Sequence, residues 1–290
     1  MTTDITIKEE TALTAFDAEL AAVAAETASM EAPVLGQFFS VLAGQLSWDK
    51  VPIPGNQMTV VILDGVYENT FYGNLNADGS WTPVKYDASN KSAPACFSIG
   101  RSEKDLAPHP NVVAAQSAQS AICGISGQAG CCPWNELGSA ENGKGKVCRN
   151  HRRLAILTAS KIERDGSTTL IEDPEHFQSV TAGYLRVPPT SMVSYSKMVK
   201  TLDSSMHLPT FAVYCRIEVF PDPKNQVRVT FTPVKPVPAD VLPVLLARYK
   251  ADRESIMFAG QVMSKEDREA MSAAAEAEKG RSGRKRKFQK

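Results

Sequence analysis

From Asp87 to Gly145 the chain is mostly loop signal, punctuated by Pro94, Pro108, Pro110, Gly124, Gly127, Gly130, Pro133, Gly138, Gly143 and Gly145. Compact domains rarely hold so long a segment without secondary structure of its own. Something besides a hydrophobic core must order it. Four of the six cysteines, Cys123, Cys131, Cys132 and Cys148, fall in its second half or just beyond. Thiols in a polar, glycine-rich loop are poor core-formers but good ligands for a soft cation. The sequence therefore predicts a metal-stapled insertion over about 87–150.

Zinc takes four ligands, favours thiolate and imidazole, and usually draws some of them from nearby positions. Cys131 and Cys132 are adjacent, so both reach one ion only with strain; Pro133 fixes the chain beyond Cys132 and favours it. The expected Zn2+ ligands are Cys123, Cys132, Cys148 and His109, with Cys131 as the alternative fourth and His151 close behind Cys148. The spacing is not C-x-x-C…C-x-x-C, so reduced structural thiols or a labile disulfide compete with zinc. Nucleophilic use is disfavoured, because no strand-to-helix nucleophile turn surrounds any of them. Cys96 and Cys215 sit in apolar contexts and read as core.

With 290 residues, 43 % of them hydrophobic, the chain has enough apolar material for one large or two ordinary globular domains. No run approaches the roughly 20 apolar residues of a membrane span, and Met1 to Glu10 lacks a signal-peptide core. A cytoplasmic protein is expected, with no membrane partner. The formal net charge is zero but unevenly spread. Asp4, Glu9, Glu10, Asp17, Glu19, Glu26 and Glu31 face only Lys8 at one end; Lys279, Arg281, Arg284, Lys285, Arg286, Lys287 and Lys290 crowd the other. Such asymmetry is a cue for nucleic-acid contact or charge pairing between segments.

Leu13, Phe16, Leu20 and Val23 predict an amphipathic helix over 8–30, and Val34 to Leu46 reads as a buried helix. Met58 to Leu63 is a core strand, Asp64-Gly65 a turn, and Val66 to Gly73 a returning strand. Further strands are expected at Trp81 to Tyr86, Leu154 to Leu157, Thr168 to Glu172, Gly183 to Val187, Pro209 to Val219 and Gln226 to Val234. Helices are expected at Ser191 to Leu202 and, starting near Pro243, through Phe258. The pattern is α+β, with an antiparallel, OB-like β-barrel core, a long zinc-stapled loop and flanking helices. Three regions follow: an acidic N-terminal helix (1–32), the core with its insertion (33–262), and a polar helix with a disordered basic tail (263–290).

Behind the cysteines the chain turns basic: Lys144, Lys146, Arg149, Arg152 and Arg153. Single-strand binders join such cations to aromatic platforms, because every base has a π-face. Trp134, Tyr72, Tyr67 and Phe71 are the candidate platforms, against the plainer reading that strand aromatics are core. Neither a helix-turn-helix nor a finger's C-x₂₋₄-C…H-x₃₋₅-H is present, so major-groove readout is not indicated. Nor is there an H-x-E with C-x-x-C, or a close set of carboxylates, for a base-modifying enzyme or nuclease.

The order YDASNKSAPACFSIG, PHPNVVAAQS, CCPWNELGSAENGKGKVCRNHRRLAIL and VFPDPKNQVRVTFTPV, across roughly 34–260, resembles phage-encoded proteins of replication and recombination gene neighbourhoods. These are likened to single-stranded DNA-binding proteins of the oligonucleotide-binding-barrel type. The resemblance implies a non-enzymatic single-stranded DNA-binding protein in the host-cell cytoplasm, with replication or recombination proteins as partners. The chain departs from that pattern at the long Cys123-x₇-Cys131 gap and in ending on Gly283-Arg-Lys-Arg-Lys287 rather than an acidic tail. Two other readings stand beside it: a zinc-stapled scaffold docking a protein partner through helix 8–30, and a metal-dependent nucleic-acid-processing enzyme.

Overall fold

The computed structural model describes residues 38–257, apart from 43, 49–50, 79, 85–93, 111, 113–121, 163–167 and 224–225. The helix expected over 8–30 and the polar helix and basic tail of 263–290 lie outside those residues. The described chain is mixed α+β, a curled and largely antiparallel sheet with few helices.

The central strand is β4, Gln57–Phe71. Along one edge it pairs over most of its length with β8, Arg149–Thr158. Its other edge is shared: β12 (Val213–Asp222) takes the first half and β7 (Cys96–Gly100) the second. The sheet runs β13 (Gln226–Pro236), β12, β4, β8, β11 (Gly183–Val187), β1 (Phe38–Leu42), β2 (Gln45–Trp48), β3 (Val51–Pro52). Only β1 with β11 is parallel. Two small hairpins stand apart, β5 (Gly73–Leu75) with β6 (Trp81–Pro83) and β9 (Ser160–Ile162) with β10 (Thr168–Leu170).

Both faces of the sheet are covered, which is why Val60 to Leu63 is apolar without alternation. On one face Val60, Ile62, Leu154, Ile156 and Leu185 pack under Tyr195, Met198 and Leu202 of α2, Pro189–Met206. On the other, Val61, Leu63, Ala155 and Leu157 meet Phe177 of α1 (Pro174–Ser179) and Leu245 of α3 (Leu242–Asp252). Each such aliphatic side chain contributes about 1.5–3 kcal/mol on burial. Asp173 caps α1 by accepting from the Glu175 N–H at 2.9 Å. Arg248 of α3 closes its other end, donating to the carbonyls of Phe177, Gln178 and Val180 at 2.9–3.0 Å.

Several elements differ from the sequence-based expectations. Within the span expected as a helix, Val34 to Leu46, the described part from Phe38 on is the β1–β2 hairpin, turned at Gly44, whose φ of +79° favours glycine. Asp64-Gly65 does not turn the chain. The register slips between Ile62 and Asp64 as a β-bulge inside one continuous strand, with Asp64 Oδ1 accepting from its neighbour Gly65 N–H at 2.8 Å. Strand β7 lies inside the segment read as loop, helix α1 was not foreseen, and β8 begins at Arg149, so the basic run is itself strand.

Candidate nucleic-acid interface and thiol cluster

Past the bulge, β4 and β8 continue as a two-faced ribbon flanked by β7. Opposed residues share a face and successive ones alternate. On the α2 face, Tyr67 lies opposite Arg152, Asn69 opposite Asn150 and Ser98, and Phe71 opposite Cys96. On the reverse face Glu68 lies opposite His151 and Ile99, Val66 opposite Arg153, and Thr70 opposite Arg149 and Phe97. A run that reads as one cationic patch is thereby split in two.

The segment from Ile122 to Val147 folds over the distal end of the α2 face. Cys132 N–H donates to Cys123 O at 3.0 Å, and Cys148 N–H to Trp134 O at 2.8 Å. Asn135, buried, is its internal clamp: Nδ2 donates to the carbonyls of Cys123 (3.2 Å) and Gly124 (2.8 Å). Its Oδ1 accepts from Asn150 Nδ2 at 2.9 Å and Lys146 Nζ at 3.3 Å. Asn150 Nδ2 also donates to Asn69 Oδ1 at 2.6 Å, tying the clamp to β4. Glu136 accepts from Ser126 Oγ and Gly127 N–H, both at 2.9 Å. Trp134 stacks on Phe71 with ring centroids 3.8 Å apart and meets Trp81 edge-on. Polar side chains and an aromatic anchor order this segment where a core does not.

The expected cations take different places. Lys144 and Arg149 are exposed; Lys146 and Arg152 are half-buried. The Arg149 guanidinium lies 6.0 Å from the Tyr72 ring centre, and that of Arg152 4.0 Å from Tyr67. Arg153 is fully buried, its Nε donating to Glu68 Oε2 at 2.9 Å and Nη1 to Ile256 O at 3.2 Å. It is a structural ion-pair partner, and no phosphate reaches it there. Arg186 Nη2 bonds the other Glu68 oxygen at 2.9 Å while its ring-facing side lies 4.5 Å from Phe38. Trp134, a candidate stacking platform, is half-buried in its stack on Phe71. Glu68 and Arg186 were missed by sequence reasoning; a lone carboxylate inside an apolar strand was the available signal.

Burial works against the Glu68 carboxylate, but Arg186 and Arg153 overcome it and hold its pKa at about 2. Beside it, burial drives His151 down to about 4, against the pull of Glu68 and with the help of Arg186 and Arg149, so this ring is neutral at pH 7.

All the described cysteines are free. Among the described residues, no three His, Cys, Asp or Glu side chains stand together closely enough to hold a metal ion as they are placed. The His109 ring stacks on Phe97 at 4.7 Å, on the face opposite Cys96 and away from the other expected ligands. The Cys131 thiol donates to the Cys123 carbonyl at 3.4 Å and the Cys132 carbonyl at 3.6 Å, and burial and the Glu136 carboxylate raise its pKa to about 11. Cys123 is buried, and its thiol donates to Ser98 Oγ at 3.2 Å. Burial also pushes up the thiols of Cys96 and Cys148.

No family model matches the chain, and no curated protein or solved structure matches it either. No described helix is long and apolar enough to cross a membrane.

Proposed function

We propose that the protein is a non-enzymatic single-stranded DNA-binding protein of phage replication or recombination, cytoplasmic in the host cell and working with other proteins of those processes. The carrying observation is the coupling of cations to aromatic rings on both faces of the β4–β8 ribbon: the exposed Arg149 with Tyr72 on the reverse face, and Arg152 with Tyr67 on the α2 face, where the covering loop exposes Lys144. A guanidinium held over a ring offers phosphate a cation and a base a stacking surface side by side. A curled antiparallel sheet carrying loops is also the frame on which OB-type proteins bind single strands, and supports that comparison at the level of shape. Zn2+ is the proposed staple of the loop, holding Lys144 and Lys146 over the ribbon. Arg153 and Trp134 take supporting roles beneath the contact surface.

The test is a fluorescence titration of oligo-dT and of duplex DNA at two salt concentrations. Tight single-strand binding that weakens steeply with salt and leaves the probe intact is expected. Cleavage of the probe would replace this reading with a processing enzyme. Absence of binding would leave the scaffold that docks a protein through its N-terminal helix.

A further inference from the structure

The geometry points to a tetrathiolate zinc site formed by Cys96, Cys123, Cys132 and Cys148, with Cys96 in the place expected of His109 or Cys131. The inference deepens the zinc-staple part of the reading above. It draws its ligands from three separate segments: strand β7, the covering loop, and the entry to β8.

Cys96 and Cys148 stand on the two edges of the same strand end. Cys96 is paired with Phe71, and Cys148 immediately precedes Arg149, which is paired with Thr70. The Phe71 ring does not separate them, because it leans away along its strand: a Cβ on Gly73 would lie 2.5 Å from Phe71 Cζ. Into the space above Asn69 and Ser98 comes the loop, with Cys123 Sγ on Ser98 Oγ at 3.2 Å and Cys132 held to Cys123 by its backbone hydrogen bond. Cys96 and Ser98 stand on the same face of β7, and alternation along β8 puts Cys148 on that face too, so the Cys123 thiol on Ser98 lies on the same side of the sheet as the other two. The Cys131 thiol is engaged instead with the backbone carbonyls of Cys123 and Cys132.

Four thiolates drawn together, one buried and three half-buried, are an unfavourable set on their own and a favourable one around a divalent cation. Zn–S bonds of about 2.3 Å require the Cys123 thiol to leave Ser98 Oγ and the four sulfurs to draw inward, each giving up its proton. Lys146, whose ammonium donates to Asn135 Oδ1 within the covering loop, offsets part of the resulting negative charge. His109 and His151 are excluded by alternation, since Phe97 and Glu68, their partners, face the other side of the ribbon.

The experiment is zinc analysis of the purified full-length protein and of Cys96→Ser, Cys131→Ser and His109→Ala. One zinc per chain is expected in the parent, Cys131→Ser and His109→Ala, with loss of it in Cys96→Ser. Should Cys96→Ser not fold, alkylation of the parent with and without chelator decides. Cys96, Cys123, Cys132 and Cys148 should pass from protected to alkylated together, while Cys131 reacts in both conditions. A parent that neither carries zinc nor takes up added zinc, or a protected set that includes Cys131 and omits Cys96, overturns the site. Neither readout contains DNA, so its failure and that of the DNA-binding proposal are separately visible.

Discussion

At the scale of single residues the most consequential group is Glu68, a carboxylate inside the sheet with Arg153 wholly buried against it. Removing one member of such a pair leaves an uncompensated buried charge, which costs about 3–5 kcal/mol. Glu68→Gln should therefore lower the free energy of urea unfolding by that amount; a loss below about 1 kcal/mol would show that Arg153 is solvated or satisfied elsewhere. Arg186 is partly exposed, so Arg186→Ala should cost much less. The same cluster sets the acid response. His151 is held near pH 4 against an ordinary 6.5, so the unfolded chain binds more protons between those values. Its contribution is thus fully present above pH 6.5 and declines as pH falls toward 4. Glu68, depressed from 4.5 to about 2, adds a separate loss that begins below pH 4.5. His151→Asn should flatten the upper limb of the stability–pH curve and leave the lower one. Parallel curves for the variant and the parent between pH 4 and 6.5 would refute the buried neutral ring. None of this was legible in Arg149-Asn-His-Arg-Arg153, where five consecutive polar residues read as one patch. Only the knowledge that they form a strand assigns alternate members to opposite faces.

At the scale of elements, strands bounded by clear turns were readable: β11, β12, β13 and helix α2 stand close to where periodicity put them. The failures share a cause. The β1–β2 hairpin carries apolar residues on both faces, so its spacing mimics a helix, and the bulge at Asp64 presents the residues of a turn without reversing the chain. Strand β7 gains its place from pairing with the far half of β4, a long-range contact that local sequence does not encode. One close approach is directly testable. At Gly183 of β11 an added Cβ would sit 2.4 Å from Phe39 Cε2 and 2.8 Å from Trp48 Cζ3. Those two rings pack 4.2 Å apart and join the hairpin to the core. Gly183→Ala should overpack this junction and cost about 1–3 kcal/mol, seen as a Tm lowered by about 2–4 °C for each kcal/mol. An unchanged Tm would mean that the hairpin is held elsewhere.

At the scale of the whole molecule, one long strand serves two purposes. Its first half is buried on both faces and anchors the fold; its second half, held between β8 and β7, supports the polar clamp, the thiol-bearing segments and the cation–aromatic pairs. The need for an ordering element between Asp87 and Gly145 was visible in composition, and three of the four thiols proposed as its ligands were visible in the motif. Cys96 was not, because its neighbours are those of a core strand and only pairing brings it to the cluster.

The central claim, that exposed cations on this ribbon and its covering loop neutralise the phosphates of a single strand, is met most directly by the salt dependence of oligo-dT affinity for the parent and for Lys144→Ala/Arg149→Ala. Each single-strand phosphate contact adds about 0.7 to the slope of log affinity against log salt, so losing two should make it shallower by about 1.4. Affinity should fall at low salt and converge with the parent at high salt. An unchanged slope, or a parent that holds duplex as tightly as oligo-dT, would contradict the account.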